Sequence, residues 1–132
     1  MAQRSDNMAG VTKFGEAMPE GCYQFRVSKV EDDGAGPVII FAVCQTEPLV
    51  GKNVRERCDL SQRVALEKLK SFYEAVHYHP EGGNHDPEQI VGGEFFAVIT
   101  HNVDGGNTYA NIAPWSIRSL EEGPTHPLGP KE

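Results

Sequence analysis

The stretch Asn53-Val54-Arg55-Glu56-Arg57-Cys58-Asp59-Leu60, continued by Ser61-Gln62-Arg63-Val64-Ala65-Leu66-Glu67-Lys68-Leu69-Lys70-Ser71-Phe72-Tyr73-Glu74-Ala75-Val76, changes its period at the midpoint. In the first half Val54, Cys58 and Leu60 alternate with Arg55, Arg57 and Asp59, the two-residue period of a half-buried strand. In the second half Val64, Ala65, Leu66, Leu69, Phe72, Tyr73 and Val76 recur at three- and four-residue steps, with Arg63, Glu67, Lys70 and Glu74 opposite them. That spacing predicts an amphipathic helix from Gln62 to Val76, with Leu66, Leu69, Phe72 and Tyr73 turned to the core and Asp59 or Ser61 placed to cap it.

Upstream, Tyr23, Phe25 and Val27 alternate with Gln24, Arg26 and Ser28 and predict a first strand. The turn-rich Asp32-Asp33-Gly34-Ala35-Gly36-Pro37 leads into Val38 to Gln45, a second strand that is apolar on both faces and pairs back as a hairpin. Downstream, His77 to Pro87 is a polar loop, Phe95 to Thr100 reads as a fourth strand, and Asp104-Gly105-Gly106 is a hairpin signal. Thr108 to Ile112 is then a fifth strand, halted by Pro114. Met1 to Glu20 has no sustained period and reads as a loose N-terminal arm. Glu121 to Glu132, with three prolines and two glycines, reads as a disordered tail. The domain proper is residues 21–120.

Three strands, one helix and a closing hairpin are the element order of a mainly β, five-stranded OB-like barrel, whose helix lies between strands three and four. A five-stranded SH3-like barrel or an α+β sandwich uses the same elements. The length of 132 residues allows one such domain. The longest apolar run, Pro37 to Cys44, is too short to span a bilayer, and the N-terminus lacks the apolar core of a secretory signal, so a cytoplasmic protein is expected. Cys22, Cys44 and Cys58 are odd in number and without CxxC spacing, which points to reduced, half-buried strand residues.

Twelve basic and nineteen acidic side chains give a net charge of −7, which disfavours duplex DNA binding through bulk positive charge. Any nucleic-acid site is therefore local, and the segment from Lys52 to Lys70 is where the basic residues gather. With Tyr23, Phe25 and Val27 inward, Arg26 faces out; with Val54, Cys58 and Leu60 inward, Arg55 and Arg57 face out. Ile39, Phe41 and Val43, or their alternates, lie between them. An apolar strip edged by guanidinium groups suits single-stranded nucleic acid, because bases stack on the strip while arginines pair with phosphates. It equally suits burial under the N-terminal arm or a second subunit. Lys52 stands at the mouth of the turn before strand three. Tyr109, beside the hairpin loop, either stacks on a base or packs on the barrel with its hydroxyl at the rim, and Trp115 is expected to cap the barrel.

His77, His79 and His85 fall within a few residues of Asp86, but Pro80, Gly82 and Gly83 separate them flexibly, so a solvated loop is expected rather than a metal site. There is no GxSxG elbow, Walker loop or HExxH helix. The chain reads as a non-enzyme without cofactor.

Glu20-Gly21-Cys22-Tyr23, Lys29-Val30-Glu31, Gly51-Lys52-Asn53-Val54, Asp59-Leu60-Ser61, the helix from Ala65 to Ala75 and Ile90-Val91-Gly92 together resemble a family of bacteriophage early-region proteins. The resemblance covers about Glu20 to Ile112. It departs from the family at Gly93, where lysine is usual, and in the histidine-rich loop. It implies an OB-like fold and association with single-stranded DNA, near phage recombination functions. The resulting expectation is a single-stranded-DNA-binding accessory protein of replication or recombination, with Arg26, Phe41, Lys52, Arg55, Arg57 and Tyr109 as its nucleic-acid-binding residues. Its expected partners are phage recombination or replication proteins or a second copy of itself, with no membrane. The alternative is a protein-interaction module, a homodimer or a host-protein binder, using the same apolar face.

Overall fold

A computed structural model describes residues 17–131; residues 1–16 of the loose arm expected over Met1 to Glu20 lie outside the described residues, and the end of that arm is not loose, since Met18 is buried and Pro19 O accepts from the Tyr23 hydroxyl at 2.8 Å. The strands are β1 (Gly21–Glu31), β2 (Val38–Cys44), β3 (Asn53–Cys58), β4 (Glu94–Asp104), β5 (Asn107–Ile112) and a short β6 (Gly129–Pro130), with one α-helix, α1 (Arg63–Ala75), between β3 and β4. The pairs are antiparallel in the order β3-β2-β1-β4-β5, and β6 joins β1.

The sheet is therefore open and six-stranded, where a five-stranded OB-like barrel, closed or partly open, was expected. No ladder joins β3 to β5. A side chain closes part of that gap: Glu56 points inward from β3, and its carboxylate accepts from the backbone N–H of Ile112 at the end of β5. Its other oxygen accepts from Lys68 Nζ of α1 at 2.6 Å. A buried carboxylate is tolerable only with such partners.

The core lies between the concave face of the sheet and α1. Phe95 stacks on Phe25 (centroids 5.6 Å apart), and Phe72 of α1 meets Phe95 edge-on at 5.2 Å. Leu69, Phe72, Tyr73 and Ala75 are the buried residues of α1, whereas Leu66 is 45% exposed. Leu66 was expected inside, but the first turns of α1, with Val64 and Leu66, stay exposed, and its buried residues begin only at Leu69. Neither Asp59 nor Ser61 caps the helix. Gln62 holds the N-cap position without a side-chain bond, and Asp59 instead accepts from Ser61 N–H and Ser61 Oγ one turn earlier.

β1 breaks its own alternation. Its register with β2 shifts between Val27 and Lys29, a bulge that leaves Ser28 as the extra residue, its hydroxyl donating to Phe41 O at 3.2 Å. Before the bulge odd positions (Tyr23, Phe25, Val27) face the core; after it Val30 does, and Lys29 and Glu31 turn out. The β4–β5 turn is made by Gly105 and Gly106, both at positive φ, between the paired Asp104 and Asn107.

The C-terminal residues expected to be a disordered tail are instead laid along β1. Leu128 bridges Cys22, Pro130 pairs with Gly21, and Lys131 N–H donates to Glu20 O at 2.7 Å. Gly21 makes this approach possible, since a Cβ there would stand 2.4 Å from Gly129 O. Trp115 does not cap the core; it is 57% exposed and meets His126 edge-on at 5.9 Å. The three cysteines are free thiols, fully buried rather than half-buried. No helix among the described residues is long and apolar enough to cross a membrane.

Candidate nucleic-acid interface

The register of β1, β2 and β3 arranges their convex face as three rungs. Across the first lie Arg26, Val43 and Asn53; across the second Lys29, Phe41 and Arg55; across the third Glu31, Ile39 and Arg57. The burial of β2 settles which of its faces points out. Val38, Ile40, Ala42 and Cys44 are fully buried, whereas Ile39, Phe41 and Val43 keep part of their surface in solvent. Each rung thus has an apolar centre on β2 and polar or charged flanks.

Four cations stand on this face. Lys29 Nζ lies 5.6 Å from the centroid of the Phe41 ring, over its face, where the ring quadrupole attracts it. It also stands 3.9 Å from Glu31 in an exposed ion pair, which contributes little to stability. Arg26, Arg55 and Arg57 make no ion pair with any described residue. Carboxylates adjoin the first rung, where Glu94 of β4 is the cross-strand partner of Arg26, and the third, where Glu31 closes one side. Next to Arg57, Asp59 is held below the usual carboxylate range by its bonds from Ser61, with a smaller contribution from Arg57.

Of the six residues expected to bind, Arg26, Phe41, Arg55 and Arg57 come together on the rungs. Lys52 sits at their edge, in the β2–β3 turn, where its carbonyl accepts from Cys44 N–H at 2.7 Å and its N–H donates to Leu49 O at 3.0 Å. Tyr109 is elsewhere: it projects from β5, 50% exposed, into a groove across the open β3–β5 seam, which it shares with Arg55. Lys29 was missed because unbroken alternation places it on the same side as Val27. Only the Ser28 bulge turns it out, and a bulge has no signature in the strand's own residues.

The histidines diverge. His77, a non-glycine residue with positive φ (61°), bonds Glu121 at 2.8 Å, and His85 bonds the Tyr73 hydroxyl at 2.6 Å. Asp86 N–H donates to Tyr78 OH at 2.8 Å, so Tyr73 ties the loop to α1 and Tyr78 braces it from within. Among the described residues no three His, Cys, Asp or Glu side chains converge as a metal-ligand group. The chain matches no protein-family model and no curated protein.

Proposed function

We propose that the convex face of β1–β3 binds single-stranded DNA and that the protein is an accessory factor of phage replication or recombination. In this reading it holds exposed strand in the host cytoplasm without chemistry or cofactor. The observation that carries the proposal is the set of rungs: an apolar line on β2, with Arg26 and Lys29 on one side and Arg55 and Arg57 on the other. Bases stack on such a line with little sequence preference, and guanidinium forks take the phosphates. The strand order, with α1 between β3 and β4, supports reading the fold as an OB barrel opened at its β3–β5 seam. The phage setting rests on the resemblance alone. A net charge of −7 is compatible, because Glu31 and Glu94 are the described carboxylates in register with the rungs and charge elsewhere is screened beyond about 10 Å at ordinary salt.

Fluorescence titration with labelled oligo(dT) at two salt concentrations tests it. Binding that weakens with salt supports the proposal; failure to retain oligo(dT) at low salt overturns it. One feature favours a second reading, a protein-binding face: Phe41 is the one π-surface in the line, Ile39 and Val43 being aliphatic. In that case sedimentation shows a dimer whose dissociation follows Phe41→Ala and is indifferent to DNA.

A further inference from the structure

The open seam between β3 and β5 holds a second, differently built surface. Near Glu56 and Ile112 the two strands are tied by the carboxylate bridge; beyond it their edges diverge into a groove of about 770 Å3. Asn53 and Arg55 of β3 form one wall. Asn102 of β4 and Asn107, Tyr109 and Asn111 of β5 form the other. Asn102 and Tyr109 are paired across the hairpin, and on β5 residues 107, 109 and 111 share one face by alternation. Ala17 and Met18 also line it, and among the described residues no carboxylate does, its single charge there being Arg55. The four carboxamides make no hydrogen bond to a described residue. Arg55 also stands on the second rung, so the groove is continuous with the arginine-edged strip.

We infer that this groove is a base-reading subsite for the single strand held on the rungs. The inference rests on the proposed single-stranded-DNA binding. A carboxamide presents a donor and an acceptor side by side, the pattern that matches the hydrogen-bonding edge of an unpaired base, as in the bidentate pairing of asparagine with adenine. Tyr109 supplies a ring against which a splayed base stacks, and Arg55 hands the backbone phosphate from the strip to the groove. The strip therefore gives affinity without regard to sequence, and the seam adds a preference among bases.

The experiment compares the wild-type protein with the Asn102→Ala/Asn111→Ala double variant and with Tyr109→Ala, on oligo(dA), oligo(dC), oligo(dT) and an abasic strand of equal length. Asn102 is exposed and Asn111 is half-exposed, so folding of the variants is checked by circular dichroism and thermal melting. The wild type is expected to bind the preferred homopolymer roughly five- to tenfold more tightly than the least preferred one, the worth of one or two lost hydrogen bonds. The double variant should bind all homopolymers nearly alike, with the abasic strand and the salt slope unaffected. Tyr109→Ala should weaken every base-bearing strand but not the abasic one. If the wild type binds every strand alike and the variants change nothing, the subsite is refuted while the strip survives. If the wild type binds no oligonucleotide, the DNA reading itself fails, and a dimer broken by the seam variants would make the groove a protein interface instead.

Discussion

The concave and convex faces of β1–β3 are made by alternate residues of the same strands, and they are built to opposite ends. On the concave face Phe25, Ile40, Ala42 and Cys58 are closed to solvent and packed against α1 and β4; on the convex face Ile39, Phe41 and Val43 stay partly open between arginines. Both faces of β2 are apolar, so hydrophobicity does not distinguish them. The neighbours do. Inward residues meet aromatic rings and one fully partnered ion pair, whereas outward residues meet three arginines that make no ion pair with a described residue and a lysine held only in an exposed pair with Glu31. An apolar side chain beside unpaired guanidinium groups is poor core and good contact surface.

The largest test of this contrast is the inward charge. Lys68→Met leaves the Glu56 carboxylate buried with one donor fewer, and removing one partner of such a pair typically costs about 3–5 kcal/mol. Urea denaturation should show it, and Glu56→Gln with Lys68→Met should recover part of the loss. A Lys68→Met protein as stable as the wild type would mean that the bridge does not hold the seam.

On α1 the contrast is repeated within one turn. Leu69→Ala should cost about 2–5 kcal/mol by opening a cavity, while Leu66→Ala should stay within about 0.5 kcal/mol. Equal losses would place Leu66 in the core and undo the orientation of the helix.

The outward side is broken by Phe41→Ala. It should cost about 1–3 kcal/mol in oligo(dT) affinity with the salt slope preserved. Loss of stability without loss of binding would make Phe41 a core residue.

Titration sharpens the difference further. Burial pushes the Cys58 thiol up to about 11, against a weaker lowering by Lys68, and pushes the Tyr23 phenol up to about 12. In both groups the neutral, protonated form is the one the fold favours. Their contribution is complete below the unfolded values of about 9 and about 10 and is lost as pH rises through the folded ones. Stability should therefore fall between about pH 9 and pH 12, and Cys58→Val should reduce the lower part of that fall, to which Cys22 and Cys44, also pushed up by burial, contribute as well. A flat profile to pH 12 would show the inward groups to be solvated.

The smallest effect is electrostatic. Each phosphate contact on a single strand adds about 0.7 to the slope of log affinity against log salt, so the Arg26→Ala/Arg55→Ala/Arg57→Ala variant should lose roughly two units of slope. Binding with undiminished slope would detach the arginines from the strand.

Much of this was legible in the residues. The change of period at Asp59 marks the β3–α1 junction, Gly105-Gly106 marks the last hairpin, and the alternation of Arg55 and Arg57 with Val54 and Cys58 puts both arginines outside before any fold is known. Other features left no local trace. Glu56 has the same parity as Val54 and Cys58, yet a carboxylate at a core position makes sense only once Lys68 and the Ile112 amide are brought to it from other elements. The C-terminal strand consists of a glycine and a proline, residues that weaken strand propensity, and it pairs because Gly21 leaves room for it.

By itself, then, the sequence determined the kinds of element, their order and the side of β3 on which the arginines stand, because periodicity and turn chemistry act within a few residues. The tertiary structure alone decided which face of β2 is open, that the Ser28 bulge turns Lys29 outward, that the sheet stays unclosed at β3–β5 and that the chain end returns to β1. Each of these depends on packing and hydrogen bonds between residues far apart in the chain, a balance of burial against desolvation that no local pattern encodes.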